Sequence, residues 1–189
     1  MNLAGRPRTR ATLARIAPIR KALGIRTIFN LTGPLANPAR VSRQLIGIAR
    51  PDFLPVYAEA LARLGTEHSM VVAGDEGLDE LSLDGGNTIA SVGPSGVTMQ
   101  RLIAGDAGLM PAPISDLRGG DAAFNADALR RLLMGEPSAY RDAVLLNSAA
   151  ALIVAGEVDD WMEGVEEAGE AIDKGLAKAL LDCWIAATK

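Results

Sequence analysis

RKALGIRTIFNLTGPLANP, residues 20–38, opens basic, passes through a short apolar run and a Gly-Pro turn, and closes on Asn-Pro. A strand cannot continue through Pro34, which has no N–H for the ladder, and Gly33 is free to take φ > 0. Residues 28–31 are therefore expected to form one short apolar run ending in a forced turn. Backbone amides left unpaired near Gly33, beside an arginine, suit a small anion. Outward from this stretch the pattern is that of an α/β chain. Residues 44–49 are apolar and bounded by Pro51, which predicts a strand. Leu54, Tyr57, Ala58, Leu61 and Leu64 follow helical spacing over residues 52–64, and Gly65 ends that helix. A second strand is expected over 69–73, and strand–helix–strand predicts a parallel βαβ unit.

Gly93-Pro94-Ser95-Gly96 separates two further strands, 88–92 and 97–103, which reads as an antiparallel hairpin added to the sheet. Residues 104–121, rich in Gly, Pro and Asp, are expected to run over the surface. Three helices follow, over 122–134, 139–155 and from Trp161 to about Ala187, with Trp161 on the core stripe of the last. Residues 1–12 have no periodicity and are read as a poorly ordered tract.

The chain has 189 residues and 49% hydrophobic content, with a mean hydropathy of +0.17. That is enough for one domain with a sizeable core, and too apolar for a disordered chain. No apolar run approaches the ~20 residues of a membrane-spanning helix, and none follows the N-terminal charges as a secretory signal would. A lone Cys183 excludes an internal disulfide and fits a reducing compartment. The net charge of −4 is unevenly placed, with seven basic residues between Arg6 and Arg26 and no acid before Asp52. A basic arm is compatible with nucleic acid or a transit-like segment. An irregular terminus that contributes an arginine or two to a site is the simpler reading, with no nucleic acid and no membrane as partners.

Asp79-Glu80 is the sharpest local feature. In open α/β sheets ligands bind beyond the carboxyl ends of strands, and this pair follows the strand expected to end near Gly74. Adjacent carboxylates repel unless a cation neutralises them, and hard oxygens suit Mg²⁺ held together with phosphates and water. Solvated surface acids would present the same two letters. Arg20 offers a planar fork that matches a carboxylate, although a surface helix charge is the simpler reading of its position alone. His68 reads as a surface histidine and Cys183 as core. Asn147, on an apolar helix, is expected to bond to backbone or to a neighbouring loop. Neither the P-loop nor the dinucleotide-binding glycine pattern occurs.

The opening stretch resembles the R-x-x-LG-x-RT-x-FN-x-x-GPL-x-NP segment of anthranilate phosphoribosyltransferases, enzymes of tryptophan biosynthesis. RQLIGIA at 43–49, VVAGDEGLDELS at 71–82, LRGGDAAFNA at 117–126 and LLNSAAAL at 145–152 follow in family order. The similarity covers roughly residues 13 to 185. It implies part of a nucleoside phosphorylase/phosphoribosyltransferase-like catalytic domain, a mixed sheet flanked by helices. Residues 13–189 would be its C-terminal part. A related nucleoside phosphorylase is disfavoured by the LGIRTIFNLTGPLANP and GLDEL motifs together.

The resemblance implies transfer of the phosphoribosyl group of phosphoribosyl pyrophosphate to anthranilate in the cytoplasm. Asp79 and Glu80 would bind Mg²⁺ carried by that substrate. Arg20 would bind the anthranilate carboxylate, and Gly33 would leave room for its ring. Arg26 and Asn30 are read as structural. The family's glycine-rich phosphate loop, its Asn-x-Ser-Thr element and the helical domain of its homodimer interface have no counterpart in this sequence. Its His-Pro-Ala-Met-like element is replaced by Arg10-Ala11-Thr12-Leu13, so residues 1–12 are expected to be non-native. The competing expectation is a non-catalytic fragment, or a partner that completes a site with another chain.

Overall fold

The computed structural model describes residues 41–188 and, before them, 18, 22–25, 33–37 and 39. The chain divides into two compact units, Met1–Ser42 and Arg43–Lys189. In the first, Gly33 precedes a 3₁₀ turn, Pro34–Ala36, and the Asn37 carboxamide oxygen accepts the Ala39 N–H at 3.0 Å. Gly33 has φ −52° and ψ −56°, an ordinary right-handed conformation. The expected use of its positive-φ freedom is thus corrected: proline at the next position is satisfied by a helical turn. The apolar run 28–31 and the tract 1–12 lie outside the described residues.

The second unit is built on four strands: β1 (Arg43–Gly47), β2 (His68–Gly74), β3 (Gly86–Gly93) and β4 (Gly96–Ile103), in that spatial order. β1 pairs parallel to β2, with Leu45 opposite Met70. β2–β3 and β3–β4 are antiparallel. The sheet is therefore mixed, as the alternation of one crossover helix and one hairpin predicts. The crossover is α1 (Leu54–Leu64), entered through a 3₁₀ turn at Pro51–Phe53 and ended by Gly65 in the left-handed region, φ +75°. Leu54, Tyr57, Ala58 and Leu61 form its buried stripe, at the spacing expected of it.

Successive residues of β2 face opposite sides of the sheet. Met70 and Val72, with Ile89 of β3, pack against Leu146, Ala150 and Val154 of α3 (Ala139–Ala155). Val71 and Ala73, fully buried, turn to the other side, the side of α1. All seven β2 residues are wholly or partly buried because helices cover both faces. Arg43 ties the end of α3 to β1. Its Nη1 donates to the Val154 and Ala155 carbonyls at 3.0 and 2.8 Å, and its Nε to Glu67 at 2.9 Å. A cation on the last carbonyls of a helix also suits its dipole.

α2 (Ala122–Leu133) and α4 (Trp161–Asp173) pack with α3 through Leu132, Leu145, Ala168 and Ile172. A β-carbon at Gly164 would lie 2.8 Å from that of Ala149, so glycine permits the close α3–α4 approach. Trp161 packs on the core as expected. Three expectations are corrected. The last helix is two, α4 and α5 (Leu176–Ala187), because Gly175 adopts φ +74° between them. Cys183 is exposed, since α5 buries none of its residues. His68 is half-buried, at the head of β2. The 104–121 connection is not wholly superficial either: Ala104 and Ala107 are buried under a 3₁₀ turn, Ala104–Ala107.

Candidate functional site

Residues 75–85 join β2 to β3 and leave the sheet at the carboxyl end of β2. Gly77, at φ +85°, allows a tight turn in which its N–H reaches the Gly74 carbonyl at 3.0 Å. The Gly74 N–H in turn bonds the Leu78 carbonyl at 3.0 Å, and the Asp75 N–H bonds Gly86 O at 3.0 Å. Arg101 of β4 grips the Asp75 carboxylate bidentately, with Nη1 to Oδ1 at 2.8 Å and Nη2 to Oδ2. That guanidinium holds the Asp75 carboxyl below the usual carboxylate range.

Asp79 and Glu80 follow, both exposed. What lies beneath them is close-packed. A β-carbon at Gly47, the last residue of β1, would lie 1.6 Å from the Asp79 carbonyl oxygen, so the loop rests directly on the β1 backbone. Leu81 and Leu83 then drop into the core beside Leu146 and Ala150. Two asparagines fasten this descent. Asn147 of α3 accepts the Leu81 N–H on Oδ1 and donates Nδ2 to the Leu81 carbonyl, both at 2.9 Å. Fully buried Asn87 accepts the Ser82 N–H at 2.7 Å and donates Nδ2 to Ser82 O at 2.9 Å and Leu102 O at 3.3 Å. Buried backbone that has left the ladder must find such partners. The Ser82 hydroxyl donates to Glu76 at 2.6 Å.

The result is a pair of solvent-facing carboxylates on a backbone fixed immediately before and after them. Glu80 borders a cleft of about 340 Å³ whose floor is α3, with Tyr140, Asn147 and Ser148 as its polar lining. Leu117 and Tyr140 also line a second cleft of about 530 Å³, which contains Arg118, Phe124 and Asn125. Among the described residues no three His, Cys, Asp or Glu side chains converge on a point that would hold a metal. Two adjacent carboxylates fit an ion that keeps most of its shell as water and substrate oxygen, which is the habit of Mg²⁺. They do not fit a closed structural zinc site, which needs four ligands.

Of the residues singled out in the sequence, Asp79 and Glu80 are thus brought together on one clamped loop. Arg20, Arg26 and Asn30 lie outside the described residues. Gly33 is exposed within its own unit, and an added β-carbon there would meet no atom within 4 Å. Asn147 has the backbone partner expected of it. Gly47, Asn87 and Arg101 were not legible as site residues: Gly47 and Arg101 act on a loop distant from them in sequence, and no local pattern marks the buried carboxamide of Asn87, five residues from Ser82.

The family model described as "Glycosyl transferase family, a/b domain" matches residues 1–178. The chain belongs to this family. It is 73% identical over 174 residues to the anthranilate phosphoribosyltransferase of Sphingopyxis alaskensis, covering 92% of this chain and 52% of that protein. To that of Novosphingobium aromaticivorans it is 66% identical over 176 residues, covering 93% and 53%. The chain therefore spans about half the length of the curated relatives it matches. Its fold is similar to the crystal structure of the Thermus thermophilus enzyme, with TM-score 0.83 and 40% identity over 92% of this chain and 51% of that one. The Saccharomyces cerevisiae enzyme in complex with PRPP and Mg gives TM-score 0.80 and 30% identity, covering 90% and 49%. The mixed sheet flanked by helices thus agrees with the fold expected from the motifs.

Proposed function

We propose that this chain is the C-terminal part of the α/β domain of an anthranilate phosphoribosyltransferase, a pentosyltransferase of tryptophan biosynthesis working in the cytoplasm. The amine of anthranilate attacks C1 of phosphoribosyl pyrophosphate. The N–C1 bond forms, the C1–O bond to pyrophosphate breaks, and the amine gives up a proton. The observation that carries this reading is the Asp79-Glu80 pair, displayed on a fixed loop at the carboxyl end of a strand. It is supported by 73% identity to a relative of that name. In addition, no helix among the described residues is long and apolar enough to cross a membrane.

Asp79 and Glu80 would hold Mg²⁺ delivered with the phosphoribosyl substrate. When bound, the ion neutralises charge that builds on the departing pyrophosphate. The chain's own contribution is positioning. The backbone that carries the two carboxylates is anchored through Leu81 and Gly47 and need not reorganise. Arg20 would receive the anthranilate carboxylate in a bidentate pair, and Gly33 would leave the ring its space.

Loss of anthranilate fluorescence in the presence of phosphoribosyl pyrophosphate and Mg²⁺ tests the reading. Turnover is expected, and Asp79→Ala/Glu80→Ala is expected to lower it by about 100-fold or more, the scale of losing a group that stabilises transition-state charge. Turnover indifferent to that double change would remove the two carboxylates from the reaction. Turnover obtained only after the remaining half of a relative is added as a separate chain would select the second reading, a partner that completes a shared site. The half-length match is the observation behind that second reading.

A further inference from the structure

Asn147 stands on α3, 66 residues from the loop it touches. All its donor capacity is spoken for: one Nδ2 hydrogen goes to Leu81 O, and the other goes back one turn to Ala143 O at 2.9 Å. The carboxamide therefore cannot be turned over, since the opposite setting would point donors at the Leu81 N–H. That N–H belongs to the Glu80–Leu81 peptide unit. By accepting it at 2.9 Å, Asn147 sets the plane from which Glu80 springs. The buried Leu81 side chain fixes how deep the loop sits, and the Asn147 carboxamide, bonded to both the N–H and the carbonyl of Leu81, fixes how that residue's backbone is turned. Both Asn147 and Glu80 line the same cleft, on the α3 side of the loop.

We infer that Asn147 is a positioning residue that aims Glu80 at a divalent cation carried by phosphoribosyl pyrophosphate, an inference resting on the reading of the Asp79-Glu80 carboxylates given above. Partners that orient ligands from behind are commonly worth 10- to 100-fold in metal affinity. A residue that merely packed α3 would affect folding and leave metal affinity alone.

The test uses Mn²⁺ as a spectroscopic stand-in, following the free-ion resonance as the chain is titrated in the presence of phosphoribosyl pyrophosphate. Asn147→Ala is expected to weaken Mn²⁺ binding by about tenfold or more, and to speed hydrogen exchange at the Leu81 amide. Asn147→Asp, which keeps the volume and the acceptor but sets an oxygen against Leu81 O, provides the same test should the alanine variant not fold. Val154→Ala, at the far end of α3, serves as the control and is expected to hold affinity within about twofold. Unchanged binding in both Asn147 variants, with binding lost in Asp79→Ala/Glu80→Ala, would overturn this inference alone. An equal loss in Val154→Ala would likewise reduce Asn147 to a packing role. If the unaltered chain binds no Mn²⁺ with phosphoribosyl pyrophosphate, or if binding survives Asp79→Ala/Glu80→Ala, the functional reading falls and this inference with it.

Discussion

The loop 75–85 and helix α5 invert the usual expectation about order. The loop has no regular structure, yet it is held by Gly47, Asn87, Arg101 and Asn147 and by two leucines in the core. Helix α5 is regular over twelve residues and buries none of them. Leu176, Leu180 and Trp184, spaced four apart, are 60, 73 and 69% exposed. Local hydrogen bonding makes a helix that is fixed to its neighbours only lightly, here through the half-buried Ala177. A loop whose backbone donors and acceptors are met by buried side chains is placed by tertiary structure alone. Asp79 and Glu80 sit on the second kind of element, which suits the role proposed for them.

The contrast can be broken most sharply at Gly47. Gly47→Ala puts a methyl where the Asp79 carbonyl lies, and no flexible side chain is there to yield. A loss of about 3 kcal/mol is expected in urea unfolding, at the upper end of overpacking costs. Weakened Mn²⁺ binding should accompany it, because the loop must lift. A loss below about 1 kcal/mol would show that the loop is not seated on β1, contrary to its contact there.

Removal of the Arg101 fork should matter less. Both partners are about half exposed, so the pair is worth no more than about 1 kcal/mol. Its sign with pH is definite. The Asp75 carboxyl is depressed in the folded chain, so its stabilisation is complete above the unfolded carboxylate range. It is lost as pH falls through the lower folded value. The stability gap between the unaltered chain and Arg101→Ala should therefore be widest near neutrality and close in acid, shrinking also with added salt. A gap that widens on acidification would refute the pairing. The smallest effect belongs to α5. Leu180→Gln exchanges two good helix formers at an exposed position, and unfolding should move by less than about 0.5 kcal/mol. A larger loss would mean that the Leu180 face of α5 is packed against something and would dissolve the contrast with the loop.

Much of this was written in local pattern. Short apolar runs, helical spacing and glycine and proline punctuation predict the strands and α1 to within a few residues, because those signals act between neighbours in sequence. The break at Gly175 was missed because the apolar period of α4 runs on in step through Leu176, and a single glycine inside a helical pattern is often tolerated. Cys183 was misplaced for a related reason: periodicity names an apolar side but cannot tell whether anything covers it. GLDEL shows which acids to choose, though it shows nothing of how they are held.

The chain's letters therefore determined the α/β class, the order of its elements and the family motifs. Each rests on nearest-neighbour chemistry and on short words that survive without a third dimension. Only the tertiary structure decided that Gly47 lies beneath Asp79, and that Asn147 and Asn87 fasten the segment that follows. Those contacts join residues of β1 and α3, and the buried carboxamide of Asn87 near the start of β3, to one loop, and no sequence period marks any of them. They follow from where the sheet and its helices come to rest.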